Sequence, residues 1–285
     1  MTDEQLLVRE DGGVLWLTLN RPDAANALTP DQRDELADRL DGASERVEVR
    51  AVVLTATGRH FCTGADLRAS RPSGPSGPLR GSKSGKHVPD RPEGAPEKVV
   101  GDVARMLAGG AQRLIAAIAD CDKPVIAAVN GTAAGIGAHM ALACDLVLAA
   151  EGARFIEVFV RRGLVPDGGG AWLLPRLVGL SKAKELMFFG DDLGAVEAER
   201  LGLVNRVVPA DKLAEVAAEW AGRLATGPTR SIGLTKRLLN RSLESDRATA
   251  FREEALAQEL NMTTQDANEG VAAFVERRDP QYRGW

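Results

Sequence analysis

The sequence predicts an α/β protein with one strand-rich core followed by a C-terminal helical region. Three observations carry this reading. Short β-branched runs alternate with amphipathic stretches over the first two-thirds of the chain. Beyond about Leu180 the pattern turns helical, apart from "LVNRVV". The length, 285 residues, suits one large domain or two small ones. A boundary at residue 205 divides the chain into a core over 1–205 and a helical region over 206–285.

The elements follow in order. "LLVRE" and "VLWLTL" flank Asp11-Gly12-Gly13 and read as a hairpin. In "TPDQRDELADRL", Thr29 and Gln32 have capping-box spacing, and Leu36 and Leu40 share a helical face. "VRAVVLTA" is a buried strand by its β-branched content. "GRHFCTGADL", residues 58–67, reads as strand, small-residue turn and helix. Residues 71–96 then hold six of the chain's fourteen prolines and five glycines, with almost no apolar residues. Such a stretch buries too little surface to order itself and is expected to be a mobile loop. Its surplus of Arg and Lys over Asp and Glu either attracts a phosphorylated ligand or belongs to a solvated insertion. "PVIAAV" and "DLVLAA" are two further strands. "DRATAFREEALAQEL" and "NEGVAAFVERR" are the last helices, with apolar residues at helical spacing.

Composition excludes several classes. A net charge of −4 gives no general attraction to nucleic acid or to an anionic membrane. No run is long and apolar enough to span a bilayer. The opening MTDEQLLVRE lacks the pattern of a targeting signal, so a cytoplasmic location is expected. Cys62, Cys121 and Cys144 are widely spaced without metal-type pairing; they are expected to be reduced, mostly buried thiols, with no metal site.

Chemistry concentrates in "AVNGTAAGIGAHMALACD", residues 128–145. Small residues before a helix let a ligand approach free N–H groups. A dinucleotide site needs three spaced glycines, but Gly135 and Gly137 supply two and Met140 occupies the third position. An oxyanion hole is the better match. "GRHFCTGADL" supplies a second small-residue turn, and "RRGLVPDGGGAWLLPRLVG" adds a Gly-rich turn carrying Asp167. Two main-chain N–H groups on one oxygen, beside a carboxylate, suit enolate chemistry on a carbonyl compound.

At this point the chain resembles the crotonase superfamily, the enoyl-CoA hydratase/isomerase family. The resemblance rests on "LNRPDAANAL", "GRHFCTGADL", "KPVIAAVNGTAAGIG", "ACDLVLAAEGARF", "GLVPDGGGAWLLPRLVG", "AERLGLVNRVVP" and "EGVAAFVERR", in the family's order. It implies a spiral of ββα units with a C-terminal helical region used in trimer formation, and a homotrimer or hexamer. It also implies an acyl-CoA substrate, held while a thioester enolate forms between two backbone N–H groups. No cofactor beyond that coenzyme A is expected. By position the donors are the N–H groups of Ala65 and Ile136, with Ile in place of the family's usual central glycine. Ala24, Ala27, Thr63, Gly64, Asp66, Leu67, Gly135, Phe159 and Pro166 fall at substrate or CoA positions. Phe274 and Arg277 fall where the family often brings an aromatic and a basic group to CoA; a core Phe and a solvated Arg are the alternative.

The family's hydratases use two glutamates, and their positions here hold His139 and Phe159. Glu157 lies two residues before Phe159, and a shift of two changes its direction, so no role is transferred to it. Asp167 stands where some isomerases of the family keep a sole acid/base and some hydrolytic relatives a nucleophile; it is also placed to cap the following helix. His139 is either a packing residue or a proton carrier near neutral pH. Double-bond isomerisation is therefore favoured over hydration. Thioester hydrolysis and non-catalytic acyl-CoA binding are the alternatives.

Overall fold

Two sheets organise the computed structural model, which describes residues 4–67, 94, 96 and 99–285. β1 (Leu6–Asp11) and β2 (Val14–Leu19) form the expected antiparallel hairpin. α1 (Pro30–Glu45) starts on the expected capping box. The Thr29 hydroxyl accepts from the Gln32 N–H at 3.2 Å, and Gln32 Oε1 accepts from the Thr29 N–H at 3.4 Å. Leu36, Ala37, Leu40 and Ala43 form its buried face.

A repeating order follows. β3 (Ala51–Ala56) and β4 (His60–Cys62) lead to α2 (Asp102–Leu107), a π-turn over Ala108–Gln112, and α3 (Arg113–Ala119). Next come β5 (Val125–Val129), β6 (Thr132–Ala134) and α4 (Ile136–Ala143). Then β7 (Leu146–Ala150) and β8 (Arg154–Ile156) lead to α5 (Gly170–Phe189). β9 (Asp192–Gly194), α6 (Ala195–Arg200) and β10 (Arg206–Val208) complete the core.

The first strand of each pair enters a six-stranded sheet, ordered β1-β2-β3-β5-β7-β10. The second enters a four-stranded sheet, ordered β4-β6-β8-β9. Apart from the β1–β2 and β8–β9 pairs, the pairings are parallel. Strand, strand, helix is the ββα unit that the family resemblance implies.

Period-two alternation divides the six-stranded sheet between two cores. Val52, Leu54, Val125, Ala127, Val147 and Ala149 face the larger core, with α1, α3 and α4. Val53, Ile126, Ala128, Leu148 and Ala150 face the other way, against Leu213, Ala217, Ala221 and Ala225 of α7 (Leu213–Ala225). The alanines stand four apart on one stripe, so this helix lies close to the sheet. α8 (Thr229–Ser242), α9 (Arg247–Asn261) and α10 (Gln265–Glu276) follow. The boundary at residue 205 falls between α6 and β10. Beyond it, β10 still pairs with β7 of the core sheet.

Three features carried no sequence signal. β9 has three residues, too few to show a period. The π-turn interrupts an otherwise helical segment. Gly179 (φ 76°, ψ 160°) breaks α5 in two. The helix expected to close the 58–67 stretch does not form in its described residues, Asp66 and Leu67 being non-helical, and the segment 71–96 apart from Gly94 and Pro96 lies outside the described residues. Cys62, Cys121 and Cys144 are free and buried, as expected. Among the described residues no helix is long and apolar enough to cross a membrane, and no cluster of His, Cys, Asp or Glu has metal-binding geometry.

Candidate functional site

The turn that carries Ala65, the first candidate donor, is held by the segment before α1. Asn26 is buried, and its amide nitrogen donates to the carbonyls of Thr57 and His60 while its oxygen accepts from the Arg21 N–H. The Arg21 guanidinium then donates to Ala27 O and pairs with Asp66 at 2.8 Å. Leu28 N–H donates to Gly64 O, and Asp66 N–H donates to Leu28 O. These bonds bracket Ala65 on both sides. Gly64 has φ 114°, a left-handed conformation that only glycine adopts readily, and it turns the chain against Ala134 O.

The second turn ends β6. Gly135 takes φ 55° and ψ −127°, and Ile136 opens α4 as its first residue. A helix leaves its first N–H groups without internal partners. Among the described residues neither the Ala65 nor the Ile136 N–H donates a hydrogen bond. α4 packs tightly on β4 here: a Cβ on Gly137 would lie 2.1 Å from Cys62 O. The two turns therefore share one wall of a cavity of about 100 Å³. Thr63, Gly64, Ala65, Leu67, Gly135, Ile136, Val158, Phe159, Arg162, Leu164 and Asp167 line it.

Asp167 is the one carboxylate among those lining residues. Burial pushes its carboxyl up from the ordinary aspartate value, and a charge on the His139 ring pulls it back down. The Gln112 side-chain amide donates to Asp167 O at 3.4 Å. Asp167 does not cap α5 with its side chain; the N-cap is Gly169, without a side-chain cap bond. Cys62 is buried and its thiol is pushed up to about 12, so it stays protonated and is no nucleophile.

His139 and Glu157 stand behind the cavity wall. His139 is fully buried, with Nε2 3.0 Å from Glu157 Oε2. Neither lines the cavity. Pro166 precedes Asp167 but is not itself a lining residue, and Ala24 and Ala27 belong to the clamp around Ala65. Phe274 is 85% exposed on α10, and Arg277 ends that helix at φ 56°; both stand outside the cavity lining. Sequence reasoning missed Val158, Arg162 and Leu164. The one available signal was "FVRRG": Arg162 follows Phe159 by three residues, and a helical turn there puts both on one side.

The family model described as enoyl-CoA hydratase/isomerase matches residues 9–78 and 99–284. The chain is 37% identical over 283 residues to the 1,2-epoxyphenylacetyl-CoA isomerase of Escherichia coli (strain K12), covering 99% of each chain. It is 32% identical over 280 residues to the 2,3-dehydroadipyl-CoA hydratase of the same organism, covering 98% of this chain and 99% of the relative. A crystal structure of an enoyl-CoA hydratase from Bacillus anthracis superposes with a TM-score of 0.84 at 32% identity, covering 99% of this chain and all of that one.

Proposed function

The chain belongs to the enoyl-CoA hydratase/isomerase family and is an enzyme of that type, and on this premise we propose that it moves the double bond of an enoyl-CoA thioester. One observation supports the choice of isomerisation: among the described residues the cavity has a single lining carboxylate, Asp167, together with two unused backbone donors. Glu157, the nearest candidate for a second, is turned away to His139.

In this reading the thioester oxygen accepts from the N–H groups of Ala65 and Ile136. Ionised Asp167 takes a proton from the carbon next to the thioester, breaking that C–H bond and forming its own O–H. The electron pair passes to the thioester oxygen, where each donor supplies about 3 kcal/mol of transition-state stabilisation. The double bond shifts as Asp167 returns the same proton two carbons further along. One carboxylate suffices because no water is added. Ile136, Val158, Phe159 and Leu164 make an apolar wall that keeps the enolate from bulk solvent.

A second reading concerns the acyl group. The Phe159 ring in the cavity wall, and the relative that acts on 1,2-epoxyphenylacetyl-CoA, favour an aromatic acyl group. Incubation with matched 2-enoyl and 3-enoyl thioesters, aliphatic and aromatic, tests both. Interconversion of the two positions is expected; a 3-hydroxyacyl product or free coenzyme A instead would reject isomerisation.

The assembly is proposed as a homotrimer or a pair of trimers. Phe251, Leu256, Leu260 and Phe274 are exposed on α9 and α10 of the single chain and need cover. Light scattering at micromolar concentration is expected to give at least three times the chain mass, and a monomeric mass would reject the assembly.

A further inference from the structure

Two buried ionisable side chains beneath the acid turn take no part in the steps above. Glu157, 6% exposed, holds His139 Nε2 at 3.0 Å. Phe159 stacks on the ring, with centroids 5.2 Å apart and planes at 15°. His139 Nδ1 is buried and has no hydrogen-bond partner among the described residues. The ring also shapes the turn that carries Asp167. A Cβ on Gly170 would lie 2.0 Å from Nε2, and one on Gly168 would lie 3.1 Å from Nδ1. The glycine run closes over the imidazole with only hydrogen atoms between.

Burying these groups is expensive. An unpaired buried nitrogen costs on the order of 1–3 kcal/mol, and apolar side chains of similar volume would often pack as well as an ion pair. Stability alone gives no reason for the pair. Its placement does: with Glu157 on Nε2, the free nitrogen faces the residue next to Asp167.

We propose that Glu157 and His139 form a buried positioning unit for Asp167, in which Glu157 orients the ring and the ring supports the acid turn and balances its charge. This rests on Asp167 being the proton carrier. A ring fixed by a buried carboxylate is the arrangement that orients catalytic histidines elsewhere, but here it acts on a carboxylate one layer above. The pull of the ring's charge on the Asp167 carboxyl is the expected electrostatic trace. Among charged side chains, Glu157 faces the ring from the β8 side and Asp167 from the turn. Among the described residues, Arg162 is the other charged side chain lining the cavity.

The test reads Asp167 directly. Carbon-13-labelled aspartate is introduced, and the Asp167 carboxyl signal is assigned by its loss in Asp167→Asn. In His139→Phe its titration midpoint is expected to move up by about one pH unit, the low end for loss of a close opposite charge. Glu157→Gln, nearly isosteric and able to keep the bond to the ring, is expected to move it the same way by less. The acid limb of kcat should follow, with KM unchanged. A midpoint that stays put in either folded variant overturns the proposal, even if the melting temperature falls, because the pair is then only packing. A midpoint that moves while Asp167→Asn keeps full turnover supports the pair and removes Asp167 as the proton carrier.

Discussion

Gly137 follows Ile136, the second candidate donor, and Gly170 stands three residues past Asp167; neither has room for a methyl group. On the donor side, a Cβ at Gly137 meets the Cys62 carbonyl at 2.1 Å, main chain against main chain. On the acid side, a Cβ at Gly170 meets the His139 ring at 2.0 Å, main chain against a side chain. The donor side is therefore written into the path of the backbone, which explains how Ile stands at position 136 without removing the N–H. The acid side is written into particular side chains. Their identities decide what the site can do.

Substitution sharpens that difference, and the acid side should give the largest effect. Asp167→Asn keeps the size and removes the proposed proton carrier. Turnover should fall at least about a hundredfold, the smaller end of general acid–base effects, with thioester affinity and melting near those of the parent. Steady-state kinetics and a thermal melt together check this. On the donor side only the backbone should matter. Ile136→Pro removes one N–H and should cost about a hundredfold in turnover, whereas Ile136→Ala should retain enolate stabilisation. If folded Pro and Ala variants turn over alike, Ile136 is not a donor.

The two glycines give a smaller, structural contrast. Gly170→Ala should destabilise by about 1–3 kcal/mol through overpacking, and His139→Ala in the same chain should relieve much of it. Gly137→Ala should cost at least as much, and no change of the Cys62 side chain should rescue it. Denaturant unfolding of the single and double variants measures both cycles. Additive costs for Gly170→Ala and His139→Ala would break the comparison.

The smallest effect is a pH dependence. Burial raises the folded-state Asp167 carboxyl above its ordinary value. A folded state that holds its proton more tightly than the unfolded chain loses stability as pH rises from the ordinary value through the raised one. Asn at this position holds no such proton. Melting of Asp167→Asn relative to the parent should therefore improve across that window and level off above it. A constant difference at all pH values would contradict this.

Much of this arrangement was legible in the residues. β3 and β5 announce themselves by β-branched content, β7 by its short apolar run, and α1 by the Thr29–Gln32 box, because those signals are local. Thr63, Gly64, Ala65, Leu67, Gly135, Ile136, Phe159 and Asp167, each singled out from a motif, line one cavity. What stayed hidden is contact between distant segments. Glu157 and His139 are 18 residues apart, and only folding brings α4 beneath the turn before α5. Arg21 and Asp66 are 45 apart, and nothing in either motif names the other.

The π-turn over Ala108–Gln112 is a matter of counting. One residue more than an α-helix requires is stored there, and each residue turns a helix by about 100°. α2 and α3 are thus two faces of one rod, set out of phase by a single surplus residue. Its last residue, Gln112, reaches Asp167 O, and downstream of it the Ile115 side chain lies where a Cβ on Gly169 would meet it at 3.2 Å. Deleting one residue, Gly109 for instance, would leave every side chain in place in the text of the sequence. It would restore the helical count, and either Ile115 or Leu107 would rotate off its packing. The acid turn is thus registered to the rest of the chain by one residue of slack.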